Sequence, residues 1–208
     1  MNFTLPNEVS VNGTPYPIRT DFRVILEIFV MLDDPDLSDA DKTEALIRMF
    51  YMERPDDVEE SIEAFLQFVD PRYSSFPRRR AQRSGSSSKR TSSGESELSC
   101  SHREARRFGA CKDVDWQQDF DLMIAPINHI LGFECRTAEH LHWRTFLSAY
   151  LEIPPESVFA RVLRIREKLR TGKKLEKCER TWYRKNIDLV NLKQKYSKAE
   201  EEMIASWT

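Results

Sequence analysis

The residues best placed to do chemistry are four carboxylates in one short stretch: Asp113, Asp115, Asp119 and Asp121. Asp115 and Asp119 are four apart, which on a helix puts both on one face, as acid–base catalysis or a divalent metal would require. The same stretch opens an expected helix, where acidic side chains complement the positive end of the helix dipole. No second acidic group with ligand spacing accompanies them, so the structural role is the stronger expectation.

Cys135, His140 and His142, with His129 nearby, raise the question of zinc. His140 and His142 are two apart, so on a helix they point to different sides and cannot chelate together. Cys100, His102 and Cys111 form no paired Cys-x-x-Cys pattern. Among 6 glycines there is no G-x-S-x-G, no P-loop and no dinucleotide fingerprint. We therefore expect no catalytic residue, no metal and no cofactor. All 4 cysteines lie after residue 99, a poor disulfide framework that suits a reducing compartment. The start of the chain shows no signal-peptide pattern, and no window is apolar enough to span a membrane.

Charge is more informative. The formal net charge of −2 hides an asymmetry: residues 1–70 carry 5 Lys+Arg against 16 Asp+Glu, residues 71–112 carry 11 against 3, and residues 113–208 carry 16 against 15. The middle segment is rich in serine and arginine, and its few apolar residues follow no period. It cannot bury enough surface to offset its ordering entropy, so a disordered basic linker is expected over 71–112. It separates an acidic block, 1–70, from a second block, 113–208. The first is near the size at which a lone core is marginal, so the blocks should pack on each other or on a partner.

Basic residues recur on the second block, where Arg161, Arg164 and Lys168 share one helix face ahead of Lys173, Lys174 and Lys177. Nucleic-acid phosphates would attract these and the linker, with a steep salt dependence. Apart from Tyr73 and Phe76, however, the linker lacks the interleaved aromatics that stack on bases. A basic linker more often keeps a chain soluble or contacts its own acidic block.

The elements that would position these groups follow from periodicity. Val9 and Val11 alternate, Asn12-Gly13 supplies a type I′ turn, and Tyr16 and Ile18 resume the alternation, which gives a β-hairpin. Pro15 and Pro17 lack N–H groups on one side of the second strand and should close that edge. Asp21 can cap a helix carrying Phe22, Ile25, Ile28, Phe29 and Leu32, and Ser38 with Asp41 marks a second. Pro55 suits the first turn of a third, buried through Val58, Ile62, Phe65, Phe68 and Val69.

In the second block, Trp116 to Leu131 is helical in period and stops at Gly132, with Pro126 expected to kink or shorten it. Thr137 should open the next helix, Pro154-Pro155-Glu156 another with Val158, Val162, Ile165 and Leu169 as its stripe, and a last helix should run from about Leu175 to Tyr196. Met203-Ile204-Ala205-Ser206-Trp207 forms a short apolar tip, read as a frayed terminus or a docking peptide. The fold class is mainly α: an N-terminal hairpin with short helices, the linker, and a C-terminal helical bundle. A surplus of aromatics on one face of that bundle would make a groove for an amphipathic partner helix.

Leu5-Pro6 ahead of the Val-x-Val-Asn-Gly hairpin, Ile18-x-Thr20-Asp21-Phe22-Arg23, Asp119-Phe-Asp121-Leu-Met-Ile, Ile130-Leu-Gly132-Phe, Leu141-His142-Trp143-Arg144-x-Phe146 and Val162-Leu-Arg164-Ile-Arg166 occur in that order. Together they resemble the gene-product-fifteen family of long-tailed bacteriophages, encoded just ahead of the tape-measure gene. The resemblance implies a tail-assembly chaperone acting in the cytoplasm of the bacterial host, with the tape-measure protein as partner and tail tube subunits or a second chaperone beside it. Self-association is compatible with this. Retention as a minor structural component of the virion tail is the first alternative, and a nucleic-acid-binding accessory protein the second. Trp143, Arg144, Arg161, Arg164, Arg166 and Lys168 are the expected partner-binding residues, with Trp143 weighed more heavily as core.

Overall fold

The computed structural model describes residues 4–70 and 113–207, so the expected linker lies outside the described residues. Strands β1 (Glu8–Val11) and β2 (Thr14–Pro17) pair antiparallel with Val11 opposite Thr14. Asn12 (φ 50°) and Gly13 (φ 82°) both take positive φ, as a type I′ turn demands. Pro15 and Pro17 lie opposite Ser10 and Glu8, and the outer edge is not closed as expected. The chain at 50–52 crosses it, with the Met52 N–H donating to the Pro17 carbonyl at 3.0 Å and the Arg19 N–H to the Phe50 carbonyl at 2.8 Å. Proline removes a donor but keeps its acceptor, so a neighbour that brings its own N–H can still pair.

Three helices follow: α1 (Phe22–Leu32), α2 (Asp39–Phe50) and α3 (Val58–Val69). Asp21 and Ser38 cap the first two through the N–H groups of Arg23 and Asp41. Asp57 caps the third, so Pro55 stands before the helix and not in its first turn. The Asn12 side-chain amide donates to Asp57 at 2.9 Å and ties the hairpin turn to this cap.

After the break, Asp113 to Asp119 form turns, and α4 begins at Phe120 and ends at Leu131. Trp116 therefore precedes the helix. Pro126 lies inside it and does not end it: the helix runs through to Leu131, with Gly132 (φ 78°) as its left-handed stop. Cys135–Thr137 is only a 3₁₀ turn, and α5 (Trp143–Leu151) starts six residues later than Thr137, capped by His142. The Thr137 hydroxyl donates to Glu134, closing that turn, while the His142 ring supplies the acceptor that opens the real helix.

Helix α6 spans Val158–Arg170. Its buried face is Phe159, Val162, Ile165 and Arg166, whereas Val158 and Leu169 are exposed. The stripe is therefore rotated from the one expected. The long last helix is instead broken into α7 (Lys177–Lys185), α8 (Ile187–Val190) and α9 (Lys198–Ala205). Asn186, at φ −132° and ψ 38°, takes the chain out of helical geometry between the first two. Ser197 and Glu200 form a full capping box that starts the third.

One hydrophobic cluster contains α1, α2 and α3 together with Val114, Met123, Ile127, Cys135, Leu141, Trp143, Phe146 and Phe159. The blocks on either side of 71–112 thus share a core. Phe22 stacks on Phe146 at 4.5 Å between centroids, and Phe29 meets both Trp116 and Trp143. The backbone is stitched at the same place, with the Trp143 N–H donating to the Thr20 carbonyl and the Phe22 N–H to the Leu141 carbonyl, at 2.7 and 2.9 Å. A smaller cluster of Val162, Ile165 and Val190 lies beneath Trp182 and Tyr183.

Candidate functional site

Three of the four clustered carboxylates, Asp113, Asp115 and Asp119, are held by structure. Asp119 is fully buried and takes a bidentate pair from Arg166 at 2.6 and 2.9 Å. Asp113 pairs with Arg170 at 2.9 and 2.8 Å. Asp115 accepts the Gln117 and Gln118 N–H groups and faces Lys195 at 3.0 Å. Burial would raise the Asp115 carboxyl, but the Gln118 N–H and Lys195 outweigh it and leave its pKa below the usual value. Only Asp121 is free in solvent, apart from a 3.7 Å approach by Arg136. Asp115 and Asp119 do not share a helix face, because both precede the helix.

The His and Cys residues are likewise dispersed. The His140 ring meets the Thr20 hydroxyl at 3.1 Å, and Cys135 is buried with its N–H donating to Asn128. Among the described residues no three His, Cys, Asp or Glu side chains are grouped to hold a metal ion. His142 uses Nδ1 to accept the Arg144 N–H at 3.0 Å and Nε2 to donate to the Pro6 carbonyl at 2.9 Å, the work of a neutral ring.

Burial depresses the His142 pKa most; the Pro6 carbonyl opposes this, while His140 and Arg144 add to it. A folded pKa below the unfolded value near 6.5 means that the unfolded chain binds more protons in that window. The stability supplied by neutral His142 is whole above about pH 6.5 and is lost as pH falls through the folded value. Melting temperature should therefore drop on acidification from about pH 7 to pH 5. The substitution His142→Gln should flatten that part of the profile, and an unchanged slope would remove His142 as its cause.

Of the six residues expected on a partner surface, two face inward. Trp143 is 1 % exposed and lies in the core. Arg166 is 5 % exposed and spends all five of its N–H groups internally: on Asp119, and on the carbonyls of Asp113, Leu189 and Val190. Arg144 is half-buried over the Phe68 ring and donates to the Gln67 carbonyl at 3.3 Å. Lys168 is taken by Glu179 at 2.6 Å. Arg161 and Arg164 remain exposed, the first over the Trp182 ring and the second at the Pro155 carbonyl. The structure therefore does not assemble the six into one surface.

It offers instead an open cleft of about 590 Å³ that the sequence reading did not locate. One wall is the outer face of α1, from Arg23 through Leu26 and Val30 to Met31; the other is Trp116, Gln117 and Phe120. Arg23, Glu27, Asp34 and Arg136 give it a rim of mixed charge. Arg136 is oriented by Glu134, whose carboxyl is held down at about 2, chiefly by the hydrogen bond from Arg136. The cleft arises because α1 buries Phe22, Ile25, Ile28 and Phe29 against the core and leaves Val30 and Met31 partly uncovered beside the turn that carries Trp116. An apolar floor between charged rims suits an amphipathic helix. Its walls come from residues about ninety positions apart, so no local pattern announces it.

Among the described residues, no helix is long and apolar enough to cross a membrane. The family described as Bacteriophage Gp15 protein matches residues 1–192 of this sequence. No curated protein and no solved structure matches the chain. The family match spans the hairpin, the α1 wall of the cleft, its Trp116 wall and the buried Asp119–Arg166 pair: the chain belongs to the bacteriophage Gp15 family.

Proposed function

We propose that this phage protein is a non-enzymatic tail-assembly chaperone that covers an apolar helical segment of the tape-measure protein in the host cytoplasm during assembly. The observation that carries the reading is the cleft between α1 and Trp116, an open apolar groove with charged rims in a member of a phage family. A long helical target with exposed apolar residues aggregates unless such grooves cover it reversibly, and several modest contacts along one target add through avidity. The internal use of Asp113, Asp115 and Asp119 favours a binding role over a catalytic one. The basic row on α6 is interrupted, since Arg166, Lys168 and Arg170 are paired with carboxylates; this weakens the case for a phosphate-binding face.

Co-expression with the tape-measure protein of the same phage tests the reading. The tape measure should move to the soluble fraction and co-purify, and Val30→Glu, which places a carboxylate on the cleft wall outside the core, should abolish this. A tape measure that aggregates equally with and without this protein would end the chaperone role and turn attention to the composition of the virion tail.

A further inference from the structure

Helix α9 is a preformed amphipathic segment whose apolar side is exposed. The capping box of Ser197 and Glu200 fixes its start, and Ala199, Met203 and Trp207 follow at four-residue spacing with Ile204 beside them. Trp207 is 81 % exposed, the most exposed large apolar residue among those described, and Met203 and Ile204 are also exposed. A tryptophan, a methionine and an isoleucine displayed together in water on one short helix form an apolar surface in search of cover.

The root of this helix stands at one end of the cleft. Lys195 bridges Asp33 at 2.7 Å and Asp115 at 3.0 Å, the residues next to Asp34 and Trp116 in the two cleft walls. Asp36 then accepts the Lys198 N–H at 2.8 Å and holds the first turn of α9 beside the end of α1. Burial would lower the Lys195 pKa, but Asp33 and Asp115 raise it beyond the usual lysine value, so the anchor keeps its charge at neutral pH. The dimensions also agree: Arg23 to Met31 along α1 spans roughly 12 Å, and Lys198 to Trp207 in helical form roughly 14 Å. Lying along the cleft, α9 would run from the end of α1 toward its start, which sets the two helix dipoles in opposition.

From these anchors we infer that the cleft has an occupant within the chain: α9 swings about its Lys195–Lys198 root and seats Met203, Ile204 and Trp207 against Leu26, Val30 and Trp116. The structure holds the open arrangement, with cleft and tip both exposed. In solution the chain exchanges between this arrangement and the seated one, which dominates and covers the groove; a target helix must displace the seated tip, so the segment sets a threshold for binding. This regulation rests on the reading of the cleft as the target site, but the docking itself does not need the target.

The full chain labelled with 5-fluorotryptophan tests it by ¹⁹F NMR, since 4 tryptophans give four signals and Trp207→Phe assigns the one that matters. The Trp207 signal should lose most of its solvent isotope shift between light and heavy water, independently of protein concentration. Both Val30→Glu on the wall and Met203→Glu on the tip should restore that shift. The Trp143 signal reports whether the core is intact, and the tip variant lies outside the core. A Trp207 signal with the full solvent shift, unmoved by either variant, would overturn the proposal. So would protection that grows with concentration, because the occupant would then be the tip of a second copy. The measurement uses the chain alone, so its failure and the failure of tape-measure solubilisation are read on separate samples.

Discussion

Arg166→Met should destabilise the protein by about 3–5 kcal/mol in a urea or thermal melt, because it strands the Asp119 carboxylate in the interior. Asp119 is fully buried, and Arg166 supplies two charged hydrogen bonds to it; without them the carboxylate keeps, among the described residues, the Asp115 N–H at 2.9 Å. The loss extends beyond the pair. The guanidinium also caps the carbonyls of Asp113, Leu189 and Val190, thereby fastening the turn before α4 and the short α8 onto α6. Arg166→Lys keeps the charge but cannot present five donors in a planar fork, so it should recover only a minor part. The double variant Arg166→Met with Asp119→Asn should be milder than Arg166→Met alone, since a neutral amide costs less to bury and can still accept from Asp115. A double variant no better than the single would show that packing, and not the stranded charge, sets the cost.

That pair marks where the sequence stops being legible. The hairpin, the caps at Asp21 and Ser38, the Gly132 stop and the core faces of α1 and α3 follow from local rules, because each is settled within a few residues. The six-residue error at the start of α5 arose because a histidine ring, not a hydroxyl, caps it, with the ring fixed from afar by the Pro6 carbonyl. Asp119 and Arg166 lie 47 residues apart, and nothing local couples them. A signal did exist: Arg166 sits beside Ile165 and four residues after Val162, on the buried face of α6, where an arginine implies an internal acid. Reading it as a surface cation followed from taking Leu169 as core. The cleft was out of reach in the same sense, since it is made by packing α1 against a turn from the far block. Even the expectation of an aromatic-walled groove assigned it to the second block alone, whereas one wall belongs to the first.

Trp143→Ala should cost a further large share of the stability, about 3–5 kcal/mol, and should do so by loosening one block from the other. The Leu141-His142-Trp143 step carried the most specific part of the family resemblance, and each of its residues works at the junction. Leu141 and Trp143 exchange backbone hydrogen bonds with Phe22 and Thr20, His142 reaches Pro6, and the Trp143 indole donates to the Val69 carbonyl at 3.1 Å. The indole also stacks with Phe146 and meets Phe29 edge-on, so its removal opens a cavity walled by both blocks. Trp143→Phe separates the contributions: it keeps most of the packing but leaves the buried Val69 carbonyl without its indole donor, a loss of about 1–3 kcal/mol. Amide hydrogen exchange supplies the spatial readout. In Trp143→Ala, protection should fall in α1 and α3 as well as α5, because a shared core transmits the cavity across the junction. Exchange accelerated in α5 alone, with α1 and α3 unchanged, would mean that the first block keeps its core without this contact. The motif would then be a local feature of α5 and not the fastening between blocks.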